Sequence, residues 1–424
     1  MILCRLIEIN EYEVGGLNGK DRKPSPEILC EAILQLDEPV LFKGILINED
    51  VDNNWRLFQL PNLTKLLTDD YCMEQLPFRV GVNAPTREPQ WDVSCPVEKM
   101  NMLQFIEKTQ DDKSNKWYYF DYKYMHEWFE TKPEILSAVN WKYFGFDKGG
   151  KDSTLWIGSK GAHTNCHQDS YGCNLIAQLH GSKQWLLFPS DSGGILKETR
   201  VPYEESTIYS KINFFCPSKE DEEHIMKSEV DKLLPKLIIL NPGDVLLVPR
   251  GWWHYVESLD TTVSVNVWLA LDVDYEARIK EALVKLIISR LGENLPAANE
   301  SLCTFQTCTK LVEECIKQYH ELHEKIDEPS DSKKRMKKTP WSSQDLTTEY
   351  PKYVKKLDNL NKDALRDLLR SKRERFSKSK DDSEIENITV CKSTPSNRTL
   401  ERIVNTLCHP DIINKLTNAL LTEK

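Results

Sequence analysis

Two hydrophobic periods divide the chain. From Ser153 the apolar positions fall into short segments: STLWIGS, NLIAQLHGS, KQWLLFP, then after a long polar interval KLIILNPGD, VLLVPRG, WWHYVES and TVSVNVWLAL. They are bounded by Gly, Pro, Asn and Asp, which is the punctuation of an all-β barrel or sandwich. After Leu271 the period becomes helical, with Ile279, Leu283, Leu286 and Ile287 on one face of Tyr275–Leu291 and a second helical stretch from Leu302 to Ile326.

The residues before Ser153 mix both patterns. Ser25 suits a helix N-cap and Pro26 the first helical position, ahead of an apolar face of Ile28, Leu29, Ile33, Leu34 and Leu36. Pro39–Phe42 reads as a buried strand, Trp55–Leu67 as a helix, Phe78–Val82 as a strand and Pro85–Pro96 as irregular. Val97–Lys108 reads as a helix through Met102, Leu103, Phe105 and Ile106, and the aromatic run Trp117–Tyr122 as a strand. Five segments are expected: a loose arm over 1–25, a mainly β domain with N-terminal helices over 26–272, a helical segment over 273–326, a polar and basic linker with a charged helix over 327–398, and closing helices over 399–424. The charged helix spans Asn361–Phe376 and reads as solvated; the last pair breaks at Pro410.

Composition narrows the classes. At 424 residues there is room for one large domain and something smaller, with eleven tryptophans as core material. A net charge of −10 argues against a general nucleic-acid binder, because phosphate neutralisation needs Lys and Arg. No apolar run is long enough to span a membrane. MILCRLIEIN meets Arg5 and Glu8 before any signal-like apolar run forms, so the twelve scattered cysteines are expected to be reduced thiols in the cytosol, or also the nucleus.

The chemistry concentrates between Gly161 and Ser258. In a strand, residues i and i+2 share a face, so His167 and Asp169 set an imidazole beside a carboxylate. His254, after the apolar run Val245–Val248 and a turn, is placed to add a second imidazole. Such a 2-His-1-carboxylate set leaves positions open on non-haem Fe(II), and zinc is a competing occupant.

GAHTNCHQDSYGCNLIAQLHGSKQWLLFP, followed by PGDVLLVPRGWWHYVES and SVNVWLAL, resembles the JmjC family of 2-oxoglutarate-dependent oxygenases. FDYKYM, TRVPYEES and YSKIN resemble a small member of it, and the likeness covers roughly residues 30–290. The resemblance implies a mainly β fold with flanking helices, a double-stranded β-helix of the cupin/JmjC jelly-roll kind, plus a C-terminal helical segment. It implies His167, Asp169 and His254 as iron ligands and Lys183 as the partner of the distal carboxylate of 2-oxoglutarate, with O2 as co-reactant. Thr164 and Tyr119 would support that carboxylate; the bland readings are a turn threonine and a core tyrosine. Asn174 and Asn266 would lie near the cosubstrate, or would satisfy buried backbone groups, and Trp268 would wall the site or simply fill core.

The implied activity is hydroxylation of a protein side chain. Histone lysine demethylation and tRNA hydroxylation are alternatives within the family. From another class comes a non-catalytic adaptor that binds a small heat-shock protein in stress response. The helices from Tyr275 to Ile326 are a candidate homodimer face. His163 is set aside as a ligand. Cys303, Cys308, Cys315, His320 and His323 lack zinc spacing and read as core cysteines and surface histidines. SKKRMKK reads as solvated linker, with nuclear import as the competing role.

Overall fold

A computed structural model describes residues 22–46, 53–68, 75–111, 114–228, 233–291, 304–327, 340–376 and 395–422. Most of the N-terminal arm, Cys303, SKKRMKK and residues 377–394 lie outside the described residues.

The period-two segments pair as their alternation requires. The strands are β1 (Val40–Phe42), β2 (Leu76–Val82), β3 (Val97–Met100), β4 (Lys116–Tyr124), β5 (Ser153–Gly158), β6 (His163–Asp169), β7 (Cys173–His180) and β8 (Lys183–Phe188). They continue with β9 (Glu198–Thr199), β10 (Thr207–Ser210), β11 (Lys236–Leu240), β12 (Val245–Val248), β13 (Trp253–Ser258), β14 (Thr262–Leu269) and β15 (Val354–Lys356). One sheet runs β15-β1-β12-β7-β14-β5-β4-β2-β3 and the other β11-β8-β13-β6-β10-β9. The two sheets form the cupin-type β fold expected from the sequence, with helices on either side in the chain.

Alternation sorts the side chains into layers. Leu175, Ala177, Val263, Val265 and Val267 turn to the N-terminal helices. Leu186, Phe188, Trp253 and Tyr255 pack on Phe214 and Phe215. Ile176, Trp185, Leu187, Leu246 and Val256 fill one end between the sheets. Ile176, Trp185 and Val256 also border a polar pocket, which is the candidate site.

The first helix is Pro26–Ile33, with the Ser25 hydroxyl accepting from the Ile28 N–H at 3.4 Å. The expected helix over Val97–Lys108 is instead strand β3 followed by a helix over Met102–Thr109. Asn101 divides them: it exchanges side-chain and backbone hydrogen bonds with Gln104 as a capping box, so the helix starts after it.

Residues 340–376 are not only linker. Strand β15 pairs with β1 at the edge of the large sheet, and the helix Lys362–Glu374 buries Leu365, Leu369 and Lys372. The solvated reading of that helix is therefore corrected: its charges alternate in sequence, but Lys372 turns inward to an acidic partner on the barrel. Further on, Ile279, Val284 and Ile288 of helix Asp274–Leu291 pack with Val404, Cys408 and Ile413 of the last helix pair. The apolar stripe that suggests a dimer face is thus covered in good part within the chain. Cys308 and Cys315 are buried, as core cysteines should be.

Candidate active site

His167 on β6 stands directly opposite His254 on β13 in the antiparallel register, so their rings meet with centroids 4.1 Å apart. Asp169, two residues beyond His167, shares that face; its Oδ1 is 3.7 Å from His167 Nε2. One ligand atom from each of His167, Asp169 and His254 lies within 4.8 Å of the others, the single such group of three among the described residues.

The backbone sets the tautomers. His167 Nδ1 is 2.8 Å from the Asn165 carbonyl and His254 Nδ1 is 3.0 Å from the Trp252 carbonyl. A carbonyl only accepts, so each Nδ1 carries a hydrogen and Nε2 is the ring nitrogen turned to the metal position. Burial, then the neighbouring His167, lowers the pKa of His254 to about 4, which keeps that imidazole neutral at neutral pH. The Trp268 indole donates to Asp169 Oδ2 at 3.1 Å and leaves Oδ1 available. Two imidazoles and one oriented carboxylate are a fitting donor set for a divalent transition metal such as Fe(II).

Thr164 joins this face through a bulge. Between His254–His167 and Val256–Thr164, β13 advances two residues and β6 three. The extra residue resets the alternation, so Thr164 lines the pocket as well as His167 and Asp169, while Cys166 faces the opposite core.

Lys183 defines the other end. Its side chain is buried, and Nζ donates to Tyr119 Oη at 3.2 Å and Ser264 Oγ at 2.9 Å. Among the described residues no carboxylate pairs with it. Asp121 reaches it only through its field and is committed to Arg79 at 2.7 Å. Burial brings the Lys183 pKa down to about 7. An ammonium held in such a place without a counter-ion is matched by an anion from outside, and a carboxylate suits it. Thr164, Tyr119 and Ser264 line the pocket together and form the polar wall around the ammonium.

Between the two ends runs an amide pair. Trp156 Nε1 donates to Asn266 Oδ1 at 2.7 Å, and Asn266 Nδ2 donates to Asn174 Oδ1 at 2.8 Å. Tyr122 closes the wall with its ring centroid 4.6 Å from Trp156. It holds a left-handed φ of 51° at a second irregularity, where Phe120–Lys123 of β4 pairs with Ile157–Leu155 of β5. A left-handed non-glycine backbone is costly and is retained where position matters.

The pocket thus gathers all the residues singled out in the sequence: Tyr119, Thr164, His167, Asp169, Asn174, Lys183, His254, Asn266 and Trp268. Sequence reasoning missed Ser264, Trp156, Tyr122 and Trp185. Ser264 was within reach, since it shares the face of Asn266 and Trp268 in SVNVW; Tyr122 was not, because a bulge turns it. His163 lies elsewhere. Its Nδ1 meets the Gly161 carbonyl at 2.9 Å, its ring stacks on Phe215 at 4.2 Å, and burial pushes its pKa down to about 3.

Comparison with known proteins bears on the fold and the family. The family model described as a Cupin-like domain matches residues 25–273. The chain is 38% identical over 291 residues to human HSPB1-associated protein 1, covering 65% of this chain and 57% of that protein. It is 37% identical over 278 residues to the HSPB1-associated protein 1 homolog of Danio rerio, covering 62% of this chain and 59% of that one. A lysine-specific demethylase of Arabidopsis thaliana is 29% identical over 176 residues, 40% of this chain and 38% of the demethylase. The chain therefore spans less than two thirds of the length of these relatives.

Proposed function

The chain belongs to the cupin-like family of JmjC-domain proteins, and on that premise we propose that it is an Fe(II)- and 2-oxoglutarate-dependent oxygenase that hydroxylates a protein side chain. The observation that carries the reading is Lys183, a buried ammonium without a carboxylate partner among the described residues, across one pocket from a metal-competent triad. When bound, Fe(II) with O2 supplies the oxidation: 2-oxoglutarate loses CO2 to become succinate, and one oxygen atom enters a substrate C–H bond.

The residues divide the remaining work. His167, Asp169 and His254 would hold the metal, with Trp268 fixing the carboxylate of Asp169. Lys183, Tyr119, Ser264 and Thr164 would seat the distal carboxylate of the 2-oxo acid. The rings of Tyr122, Trp156 and Trp185 would keep water from the reacting centre. A membrane role has no support in the helices, none of which among the described residues is long and apolar enough to cross one. We propose a location in the cytosol, also the nucleus, on the scattered spacing of its twelve cysteines.

The test is succinate formation from 2-oxoglutarate by the iron-loaded protein, with Asp169→Ala and Lys183→Met as controls. Turnover lost in both supports the oxygenase, and turnover that persists in both overturns it.

A second reading rests on the names of the relatives, which associate them with HSPB1. In it the chain binds a small heat-shock protein, as a substrate or as an adaptor's partner. Binding that survives Asp169→Ala in a protein without turnover would favour the adaptor. Demethylation is hydroxylation at an N-methyl carbon, and methylated peptides belong in the same substrate screen.

A further inference from the structure

Resting on the 2-oxo acid reading of the pocket, we propose that Trp156 is a positioning residue whose indole N–H sets the direction of the Asn266–Asn174 amide pair, so that Asn174 offers a donor to the metal end of the bound acid.

A carboxamide is nearly symmetric in shape but not in chemistry. Turned by half a rotation, its NH2 and its oxygen exchange places. A chain of two amides has two self-consistent directions, one ending in a donor and the other in an acceptor. An indole ends that ambiguity because it has a hydrogen to give and no lone pair to offer. Trp156 Nε1 lies 2.7 Å from one end of the Asn266 amide, which must then be Oδ1. Asn266 turns its Nδ2 to Asn174 at 2.8 Å, so the Asn174 atom there must be Oδ1. The Asn174 Nδ2 is left as the outward group on a residue that lines the pocket.

The pair is placed where direction matters. Asn174 pairs across β7 and β14 with Trp268, the residue that holds Asp169, so it belongs to the metal end. Asn266 sits on β14 between Trp268 and Ser264, and Ser264 accepts from Lys183. A five-carbon diacid reaching from Lys183 to the triad runs along this row. Its metal-end carboxylate and keto oxygens only accept. They match a donor and are repelled by a second oxygen.

Trp156 is itself held. Its ring packs on Tyr122 and, at 5.9 Å, on Tyr119, and Lys183 Nζ sits 5.9 Å from its centroid. Asn266 is 1% exposed, so bulk water has no easy access to replace the indole. Neither Trp156 nor the amide direction is visible in the ligand motif, because the relay joins residues 110 positions apart.

The test measures 2-oxoglutarate binding to the Mn(II)-loaded protein by titration calorimetry. Trp156→Phe keeps an aromatic ring, though a smaller one, and removes the N–H; it is expected to weaken binding about tenfold, the equivalent of 1.4 kcal/mol, with Mn(II) affinity unchanged. Asn266→Leu frees Asn174 from the relay, and in that background Trp156→Phe is expected to add nothing. This cycle separates relay from packing, since a packing defect would act equally in both backgrounds. Asn266→Asp is the second probe, for the case that Trp156→Phe does not fold. The carboxylate it introduces accepts from both neighbours and turns the Asn174 oxygen outward, so binding is expected to fall at least as far. Wild-type affinity in Trp156→Phe, or an equal effect in the two backgrounds, overturns the relay. No 2-oxoglutarate binding by the wild type overturns the pocket reading and the relay with it.

Discussion

Lys372, on the helix Lys362–Glu374, lies 2.6 Å from Glu257, which follows His254 by three residues on β13. Arg375 pairs with the same carboxylate, and the Tyr255 hydroxyl donates to it at 2.8 Å. A segment read from composition as a solvated helix therefore braces the strand that carries a candidate ligand.

Burial opposes the Glu257 charge, but Lys372 and Arg375 outweigh it and hold the pKa near 2, against 4.5 ordinarily. Because the folded value is the lower one, this carboxylate contributes stability above about pH 4.5, and the contribution fades as pH falls toward 2. Glu257→Gln leaves Lys372 buried without its main counter-charge, so a loss of about 3–5 kcal/mol is expected in denaturant unfolding at pH 7. The acid limb of the stability profile between those pH values should flatten in the same variant.

The Lys183 charge, unlike that of Glu257, costs stability. Its folded pKa, near 7, lies below its ordinary 10.5, so the empty protein bears the whole cost of the buried charge below pH 7. That cost is relieved as pH rises from about 7 toward 10.5, and stability rises with it. Lys183→Met should remove this slope and raise the melting temperature of the empty protein by several degrees while abolishing 2-oxoglutarate binding. Calorimetric melting across that range, with and without the acid, checks both halves.

Trp268→Phe tests the support of Asp169. An aromatic ring remains, the 3.1 Å bond to Oδ2 is lost, and the carboxylate is freed to rotate. Metal affinity should fall about 10–100-fold, as for other residues that orient a ligand. Titration with Mn(II) or Co(II) reads this without any need for a substrate.

His163→Phe should leave that titration unchanged. His163 begins the same strand as His167 but stacks on Phe215, away from the triad. The expected cost is in stability, through the lost bond to the Gly161 carbonyl.

These two histidines show what the chain discloses before folding. The β segments, the terminal helix pair and the pairing of His167 with Asp169 were legible because they rest on local period and on alternation within one strand, while His254 followed from the apolar run and turn before it and from the family pattern. Lys183, Thr164, Tyr119, Asn174 and Asn266 were legible through a family pattern, and all of them line the pocket. The two irregularities were not legible. An extra residue in β6 brings Thr164 onto the ligand face, and a left-handed Tyr122 is turned inward, yet neither position carries a glycine to mark it. Long-range partnerships stayed hidden too: the Lys372–Glu257 pair joins residues 115 positions apart, and charge alternation alone reads as solvation. Val97–Lys108 failed for a local reason, since Asn101 can end a strand as readily as it caps the helix that follows.

The central claim is that the triad and Lys183 together hold Fe(II) with 2-oxoglutarate. Its most direct test is anaerobic addition of both to the metal-free protein, watching for the weak visible metal-to-ligand charge-transfer band, with Asp169→Ala in parallel. A band in the wild type that is absent from the variant is the predicted result. A folded, iron-binding protein that develops no band would contradict the claim and leave the partner-binding reading in its place.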